Sequence, residues 1–370
     1  MAEAIAAGHI CLDIIPDLSF HPAGQFEAAF LPGRLVQTGP ATICTGGSVS
    51  NTGLALHRLG IDTRLIARIG PDVLGKTLLH ILSAYSPDLV EGIRTSTASS
   101  TSYSVVISPT GSDRTFLHHP GANDDFSQTD VQEASLVDAR LFHFGYPPIM
   151  AQMYAQDGRQ LASLFQWVKS LGLTTSLDMA YPDPDSPGGQ ANWRKILQST
   201  LPHVDIFLPS LDEIQFMLRR PFNPALSPAL LEDVSAELLS FGAKIVVLKL
   251  GERGLYLRAA SGQVLLGLGK ACPDNWRAWA GFEAWQPCFQ VEVAGTTGSG
   301  DATIAGFLTA FLRGLPPDQA LEAALAVGAC NVEAADAISG LRSWPDTLQR
   351  IRAGWKRKAE PQAFQRLRNW

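Results

Sequence analysis

The chain has 370 residues, of which 46% are hydrophobic and 17% are charged, so it is long and apolar enough to bury a large core. Its formal net charge of −6 argues against a nucleic-acid or anionic-membrane surface, and no apolar run reaches the roughly 18 to 20 residues of a membrane span. The N-terminus has no basic region typical of a signal peptide, and the five cysteines are scattered. These features predict a cytoplasmic protein with free thiols.

Strand-like apolar runs alternate with helical patterns along most of the chain. The predicted strands are residues 4–15, 63–70, 139–146, 173–180, 204–210 and 244–251, and the predicted helices are residues 48–60, 158–172, 212–220 and 230–242. Such alternation favours an α/β fold with a central, mostly parallel sheet and helices on both faces. We expect a single domain over residues 1–370.

One segment breaks the alternation. Residues 101–119 contain two strand-like runs around the turn-like sequence Pro-Thr-Gly-Ser, which predicts an antiparallel hairpin. A hairpin cannot join the parallel core, so we expect a small β lid, with elements from about residues 14–40 and 93–122. A loop-like region, residues 268–288, carries three tryptophans that either line a ligand or protomer contact or are buried in their own loop: Trp276, Trp279 and Trp285.

Residues 70–77 match the pattern G-x-x-x-x-G-K-[ST], which is typical of a phosphate-binding P-loop. In that interpretation Lys76 would reach the phosphates of a nucleotide. However, two bulky residues, Val73 and Leu74, and the negative charge of Asp72 would make a poor cradle for phosphate. We therefore expect Lys76 to be a solvated helix residue.

A second glycine-rich loop, residues 295–301, leads directly into a helical pattern near the C-terminus. Glycine lets the backbone approach an anion closely, and a helix N-terminus directs free amides at it. A carboxylate there is poorly placed to bind phosphate but well placed to take a proton from an attacking hydroxyl. Asp301 is thus a candidate catalytic base, with an anion hole made by the amides of Gly298, Ser299 and Gly300; alternatively, Asp301 only caps its helix.

Several segments together resemble the ribokinase-like, or PfkB, family of carbohydrate kinases. GTTGSGDATIAGF resembles the C-terminal D-T-x-G-A-G-D signature, TGGSVSNTGLALHRLG resembles the G-G-x-x-x-N motif, and VLKLGERGLYL resembles the L-G-x-x-G turn. GHICLDIIP, ARIGPDVLGKTLL, the hairpin with its G-A-N ending, and LDMAYPDP followed by NW resemble other segments in the same order. The resemblance covers nearly the whole chain. It implies a ribokinase-like fold and direct transfer of the γ-phosphoryl group of ATP to a sugar hydroxyl.

The resemblance also implies roles for individual residues. Asp301 is the implied base, and its helix N-terminus is expected to keep it ionised, so that its power comes from placement rather than from a raised pKa. The other implied residues are Asp13, Gly46, Gly47 and Asn51 for substrate, Lys249, Gly251, Gly254 and Thr296 for nucleotide, and Glu213 for Mg²⁺ through water. Asn51 either bonds a sugar hydroxyl or ties down its loop, and Lys249 either approaches phosphates or is an exposed strand-end residue. One of His118 and His119 faces the substrate, or both are solvated.

Three positions depart from the family pattern. Gly295 replaces an Asp that belongs to a monovalent-cation site in potassium-activated relatives, so we expect no strong potassium activation. Ser210 replaces the Asn of the N-x-x-E motif, and Ser299 replaces an Ala of the signature. The expected ligands are ATP, Mg²⁺ and a sugar, and the lid is a candidate homodimer contact. The alternatives are a nucleoside kinase of the same fold and a non-catalytic sugar-binding member.

Overall fold

The computed structural model describes residues 2–21, 31–109, 114–221, 226–359 and 362–367, and its strands form a nine-stranded and a four-stranded sheet. The strands are β1 (Ala4–Gly8), β2 (Cys11–Pro16), β3 (Ala41–Gly46), β4 (Thr63–Ile69), β5 (Ile93–Thr95), β6 (Tyr103–Ile107), β7 (Thr115–His119), β8 (Leu141–Gly145), β9 (Thr174–Leu177), β10 (Ile206–Phe207), β11 (Ile245–Lys249), β12 (Leu255–Ala259) and β13 (Glu283–Gln286). The α-helices are α1 (Ser48–Arg58), α2 (Val73–Ser83), α3 (Ala151–Ser170), α4 (Pro187–Gln190), α5 (Trp193–Thr200), α6 (Leu211–Met217), α7 (Pro228–Ser240), α8 (Trp276–Trp279), α9 (Ser299–Leu312), α10 (Pro317–Asn331) and α11 (Trp344–Arg352).

The large sheet has the strand order β13-β12-β11-β10-β9-β8-β1-β4-β5. Every neighbouring pair from β11 to β5 is parallel, and only β12 and β13 at one edge run antiparallel. The predicted α/β fold with a central, mostly parallel sheet is confirmed. All six predicted strand regions contain strands, and each predicted helix overlaps a helix, although α3 begins earlier than expected and has non-helical backbone at residues 155–158.

The segment predicted as one strand over residues 4–15 is two strands in different sheets. β1 lies at the centre of the large sheet, whereas β2 belongs to the small one. The chain turns between them because Gly8 adopts a φ of 121°, and a Cβ at this position would stand 2.4 Å from the carbonyl oxygen of Gly145. This turn carries Asp13 out of the large sheet and into the small one.

The small sheet has the order β3-β2-β6-β7 and is the candidate lid. β6 and β7 pair antiparallel, which confirms the hairpin; most of its predicted turn lies outside the described residues, as do residues 22–30. The strands of the small sheet do not coincide with the boundaries predicted for the lid. β5 lies within the predicted lid but extends the large sheet as a parallel neighbour of β4. β3 lies outside the predicted residues 14–40 but pairs with β2 along its whole length.

The helix that follows the glycine-rich loop, α9, is almost completely buried. It packs against α10 and α1 on one face of the large sheet. Trp279 contacts Phe307 and Phe311 of α9 edge-on, with ring centroids 5.9 and 5.2 Å away. This packing places the N-terminus of α9 beside Lys249, where β11 ends, at the edge where parallel α/β sheets bind ligands. Among the described residues, no helix has the length and apolarity needed to cross a membrane.

Candidate active site

The carboxylate of Asp301 is the centre of a buried hydrogen-bond network. Asp301 lies in the first turn of α9 and is 2% exposed. Its Oδ2 accepts hydrogen bonds from Asn51 Nδ2 at 3.0 Å and Tyr146 Oη at 2.8 Å, and its Oδ1 accepts one from Thr52 Oγ1 at 3.1 Å. These donors come from α1 and from the residue after β8. The carboxylate is therefore held by three partners outside its own helix.

The protonation of Asp301 differs from the expectation. Burial raises the pKa of the Asp301 carboxyl above its usual value, although the hydrogen bonds of Asn51, Tyr146 and Thr52 and the charge of Lys249 act in the opposite direction. The expected absence of a raised pKa is thus wrong, because the helix terminus does not compensate for the loss of water around a buried carboxylate. A raised pKa makes Asp301 a stronger base than an exposed aspartate.

Asp13 is a buried carboxylate on strand β2 of the candidate lid. It is 6% exposed, and Cys11 Sγ donates to its Oδ1 at 3.3 Å. Burial raises the pKa of the Asp13 carboxyl, and the charge of Asp301 contributes in the same direction, so the two carboxylates lie close enough to interact electrostatically. A Cβ at Gly46 would stand 2.2 Å from Asp13 Oδ2, which explains the glycine there. Gly47 has a φ of 83°, which favours glycine in its own right.

Lys249 is buried against the glycine-rich loop. It forms a 2.5 Å ion pair with Asp178, which follows β9, and only 13% of its side chain is exposed, so an exposed strand-end lysine is excluded. Its Nζ lies 3.9 Å from where a Cβ would stand at Gly300. Burial lowers the pKa of the Lys249 amine, but the carboxylates of Asp178, Glu213 and Asp301 outweigh this effect and leave the pKa above its usual value. A charged ammonium therefore stands beside the N-terminus of α9.

One of the three amides that were predicted to form the anion hole already donates to a carbonyl oxygen of the same loop. Gly298 caps α9 with a left-handed φ of 69°, and a Cβ there would stand 2.5 Å from Ala337 Cβ. The amide of Ser299 donates to the carbonyl oxygen of Thr296 at 3.3 Å. An anion would therefore rely mainly on the amides of Gly298 and Gly300, which is a narrower set than predicted.

A cavity of about 660 Å³ separates the lid from the glycine-rich loop. Thr42 and Val106 line it from the lid sheet, and Gly295 and Thr296 line it from the loop. Arg114, the residue before β7, donates a hydrogen bond to Thr297 Oγ1 of the loop at 2.5 Å. The sequence gives no signal for this contact, because the two residues are far apart in the chain.

The predicted nucleotide turn forms after β11. Gly251 and Gly254 have φ angles of 59° and 104°, and a Cβ at Gly254 would stand 2.0 Å from the carbonyl oxygen of Gln286. Trp285 Nε1 donates to the carbonyl oxygen of Arg253 at 3.0 Å and so holds the turn. Trp285 and Trp279 are buried, 2% and 0% exposed, whereas Trp276 is partly buried. Burial against the protein core is therefore the role of Trp279 and Trp285.

Glu213 was predicted to bind Mg²⁺ through water. Its Oε2 accepts from the Ser210 amide at 2.6 Å, and Ser210 Oγ accepts from the Glu213 amide at 3.2 Å, which together form a capping box at α6. Glu213 also acts electrostatically on Lys249 and Asp178. Mg²⁺ usually keeps several of its waters in proteins, and contact of Glu213 with one of those waters stays a prediction.

The P-loop pattern forms a structural turn. Asp72 caps α2 by accepting from the amide of Gly75 at 2.9 Å and from the amide of Thr101 at 2.7 Å. A Cβ at Gly70 would stand 2.4 Å from the amide nitrogen of Thr101. Lys76 is exposed on α2, as predicted.

The two lid histidines have different positions. His118 Nε2 lies 3.3 Å from Nε2 of His9, and His118 Nδ1 lies 3.0 Å from Ser104 Oγ, so His118 is on the same face of the lid as Asp13. His119 Nε2 lies 2.9 Å from Ser100 Oγ. Sequence reasoning missed His9, Thr52, Tyr146 and Asp178, because nothing in their local pattern reveals which tertiary neighbours they meet.

Comparison with known proteins identifies the family. The pfkB family carbohydrate kinase model matches residues 8–344. An ATP-dependent ribose-1-phosphate kinase from Halopiger xanaduensis is 25% identical over 329 residues, which cover 89% of this chain and 91% of the relative.

Solved structures share the fold. A ribokinase from Arabidopsis thaliana, complexed with ribose and ATP, matches with a TM-score of 0.72 at 19% identity, covering 94% of this chain and 98% of that chain. A protein from E. coli in complex with ATP and Mg²⁺ matches with a TM-score of 0.69 at 21% identity, covering 95% and 100%. Since the family model spans most of the sequence and the fold agrees with it, the chain belongs to the pfkB family of carbohydrate kinases.

Proposed function

We propose that this protein transfers the γ-phosphoryl group of ATP to a hydroxyl of a sugar or sugar-like substrate, with Asp301 as the catalytic base. The observation that carries this proposal is the placement of Asp301. Its buried carboxylate lies at the N-terminus of α9, near the ammonium of Lys249, and close enough to Asp13 on the lid for the two carboxylates to interact electrostatically. A base, an anion-binding terminus and an acceptor of hydroxyl protons thus surround one space.

The proposed chemistry follows from these positions. Asp301 accepts the proton of the attacking hydroxyl as the oxygen forms its bond to the γ-phosphorus, and the bond between that phosphorus and the bridging oxygen of ADP breaks. The amides of Gly298 and Gly300 and the ammonium of Lys249 stabilise the negative charge of the transferred group. Asp301 is then protonated and returns its proton to solvent after the product leaves.

The substrate side is polar, which suits a polyhydroxylated molecule. Asp13 offers a carboxylate to sugar hydroxyls. Asn51 donates through Nδ2 to Asp301, while its Oδ1 is buried without a partner in the described structure. Such an acceptor is costly to leave unsatisfied, and a sugar hydroxyl would satisfy it. Gly46 and Gly47 keep the backbone of this wall free of side chains.

On the nucleotide side, Lys249 and Thr296 would contact phosphates, and Gly251 and Gly254 would shape the turn beside the base and ribose. Glu213 would hold a water of hydrated Mg²⁺ through Oε1. Mg²⁺ bound to the phosphates would neutralise part of their charge. Neighbours of the same fold are complexed with ribose and ATP or with ATP and Mg²⁺, which supports ATP and Mg²⁺ as ligands.

The experiment that tests this function is a phosphorylation screen with ATP and Mg²⁺, covering pentoses, hexoses, their monophosphates and nucleosides, with Asp301→Asn as the matched control. We expect ADP formation with at least one sugar acceptor, and none with the control. Activity confined to nucleosides would favour the nucleoside kinase. Sugar binding without any turnover would favour a non-catalytic member.

We further propose a homodimer through the outer face of the lid. Ile43, Ile14, Val105 and Leu117 are paired in register across the four strands, and Ile43 and Leu117 are 52% and 55% exposed. Cross-strand partners share a face of a sheet, so these residues form one apolar row. Sedimentation should give a dimer that Ile43→Asp dissociates; a monomeric parent protein would contradict it.

We also propose a cytoplasmic location. All five cysteines are free thiols, which supports it.

A further inference from the structure

Tyr146 has a strained backbone next to the candidate base. Its backbone adopts a left-handed conformation, with φ 66° and ψ 39°, which residues other than glycine rarely adopt. It also precedes Pro147, and residues before proline favour extended backbone. Strain of this kind persists only where the surrounding structure enforces it, and it concentrates at functional sites.

The side chain of Tyr146 uses this conformation to reach the base. Its hydroxyl donates to Asp301 Oδ2 at 2.8 Å. Burial and the nearby carboxylates of Asp301 and Asp178 raise the pKa of the Tyr146 phenol well above its usual value, so the hydroxyl keeps its proton and acts as a donor.

The backbone before Tyr146 is wedged against the helix that supplies the other two donors. A Cβ at Gly145 would stand 1.9 Å from Oγ of Ser48, the first residue of α1. α1 carries Asn51 and Thr52, which also hold Asp301. The end of β8 and the start of α1 therefore form one rigid support for the carboxylate.

We propose that Tyr146 is a positioning residue for phosphoryl transfer: its hydroxyl, together with the two donors of α1, fixes the carboxylate of Asp301 so that its remaining lone pair faces the acceptor hydroxyl. A carboxylate has about four acceptor positions, and three of those of Asp301 are occupied by Asn51, Thr52 and Tyr146. This proposal rests on the proposed role of Asp301 as the base.

The proposal has a consequence for pH dependence. The charged groups that act on Asp301 are Lys249 from β11, which favours its ionised form, and Asp178 and Asp13, which oppose it; the donors of α1 are neutral. Tyr146 favours the ionised form through its hydrogen bond. Without that bond, the pKa of Asp301 rises further, and the base becomes protonated at a higher pH.

The test is the pH profile of kcat/KM for the sugar acceptor found in the screen, measured for the parent protein, Tyr146→Phe and Tyr154→Phe. Tyr154 is a half-buried tyrosine of α3 and serves as the matched control. A hydrogen bond to a charged group corresponds to a pKa change of about one unit. We expect the acid limb of Tyr146→Phe to move upward by about one pH unit, and that of Tyr154→Phe to coincide with the parent.

A second variant keeps the hydroxyl and the fold. Incorporation of 3-fluorotyrosine at position 146 gives a more acidic phenol and a stronger donor, so the acid limb should move downward. If both profiles coincide with the parent while Asp301→Asn is inactive, the role of Tyr146 is wrong and the proposed function stands. If Asp301→Asn is active, the base assignment itself falls, and the role of Tyr146 falls with it.

Discussion

Lys249 and Asp178 form a buried ion pair at the ends of two strands of the large sheet, and the lysine side chain also borders Gly300 at the start of α9. Burial raises the pKa of the Asp178 carboxyl more than Lys249 lowers it. The Lys249 ammonium thus interacts electrostatically with three carboxylates, those of Asp178, Glu213 and Asp301. This arrangement predicts two separable roles for Lys249, one in stability and, as proposed above, one in phosphate binding.

Lys249→Met should separate these roles when it is combined with Asp178→Asn. The single change leaves a buried carboxylate without its cation, so we expect a loss of about 3 to 5 kcal/mol in the free energy of unfolding. The double change removes both charges and should restore most of that stability. ATP affinity should stay low in both variants. Urea unfolding and calorimetric titration with ATP measure the two effects, and parental ATP affinity in the double variant would exclude Lys249 from phosphate binding.

Asp13→Asn should weaken sugar binding and leave ATP binding unchanged, because it removes a charged acceptor of hydroxyl protons from the lid while keeping the shape of the side chain. A hydrogen bond to a charged group corresponds to roughly a tenfold to hundredfold loss in affinity. Separate calorimetric titrations with sugar and ATP provide the measurement, with the exposed Asp88→Asn as control. Equal losses for both ligands would mean that β2 had been disrupted.

The positions of these residues show how far the sequence could predict the site. The glycine-rich loop, Asp301 and Asn51 were predictable because loop, helix start and motif are local in sequence. The division of residues 4–15 into β1 and β2, which belong to different sheets, was not predictable, since a continuous apolar run fits one long strand as well as two shorter ones. Tyr146 contacts Asp301 and Asp178 contacts Lys249, and each of these partners lies more than 70 residues away in the chain. Local sequence patterns carry no information about such contacts.

Potassium should have little effect on the rate. Gly295 offers no carboxylate to a monovalent cation, and a Cβ there would stand 2.8 Å from Cα of Ala335, so the neighbouring backbone fills the space that a side chain would need. We expect similar initial rates in potassium chloride and in the chloride of a bulky organic cation at equal ionic strength. A stimulation of about tenfold, equivalent to ~1.4 kcal/mol of barrier, would show that backbone carbonyls alone form the cation site.

The most direct test of the account is the turnover of Asp301→Asn under saturating ATP, Mg²⁺ and acceptor. The amide keeps the size of the carboxylate but cannot accept the hydroxyl proton, so we expect a loss of at least ~10²-fold in kcat. ATP affinity should stay close to that of the parent protein, because the proposed phosphate contacts are made by Lys249 and the loop amides rather than by Asp301. A folded Asp301→Asn protein that retains most of the parental kcat would contradict the assignment of Asp301 as the base.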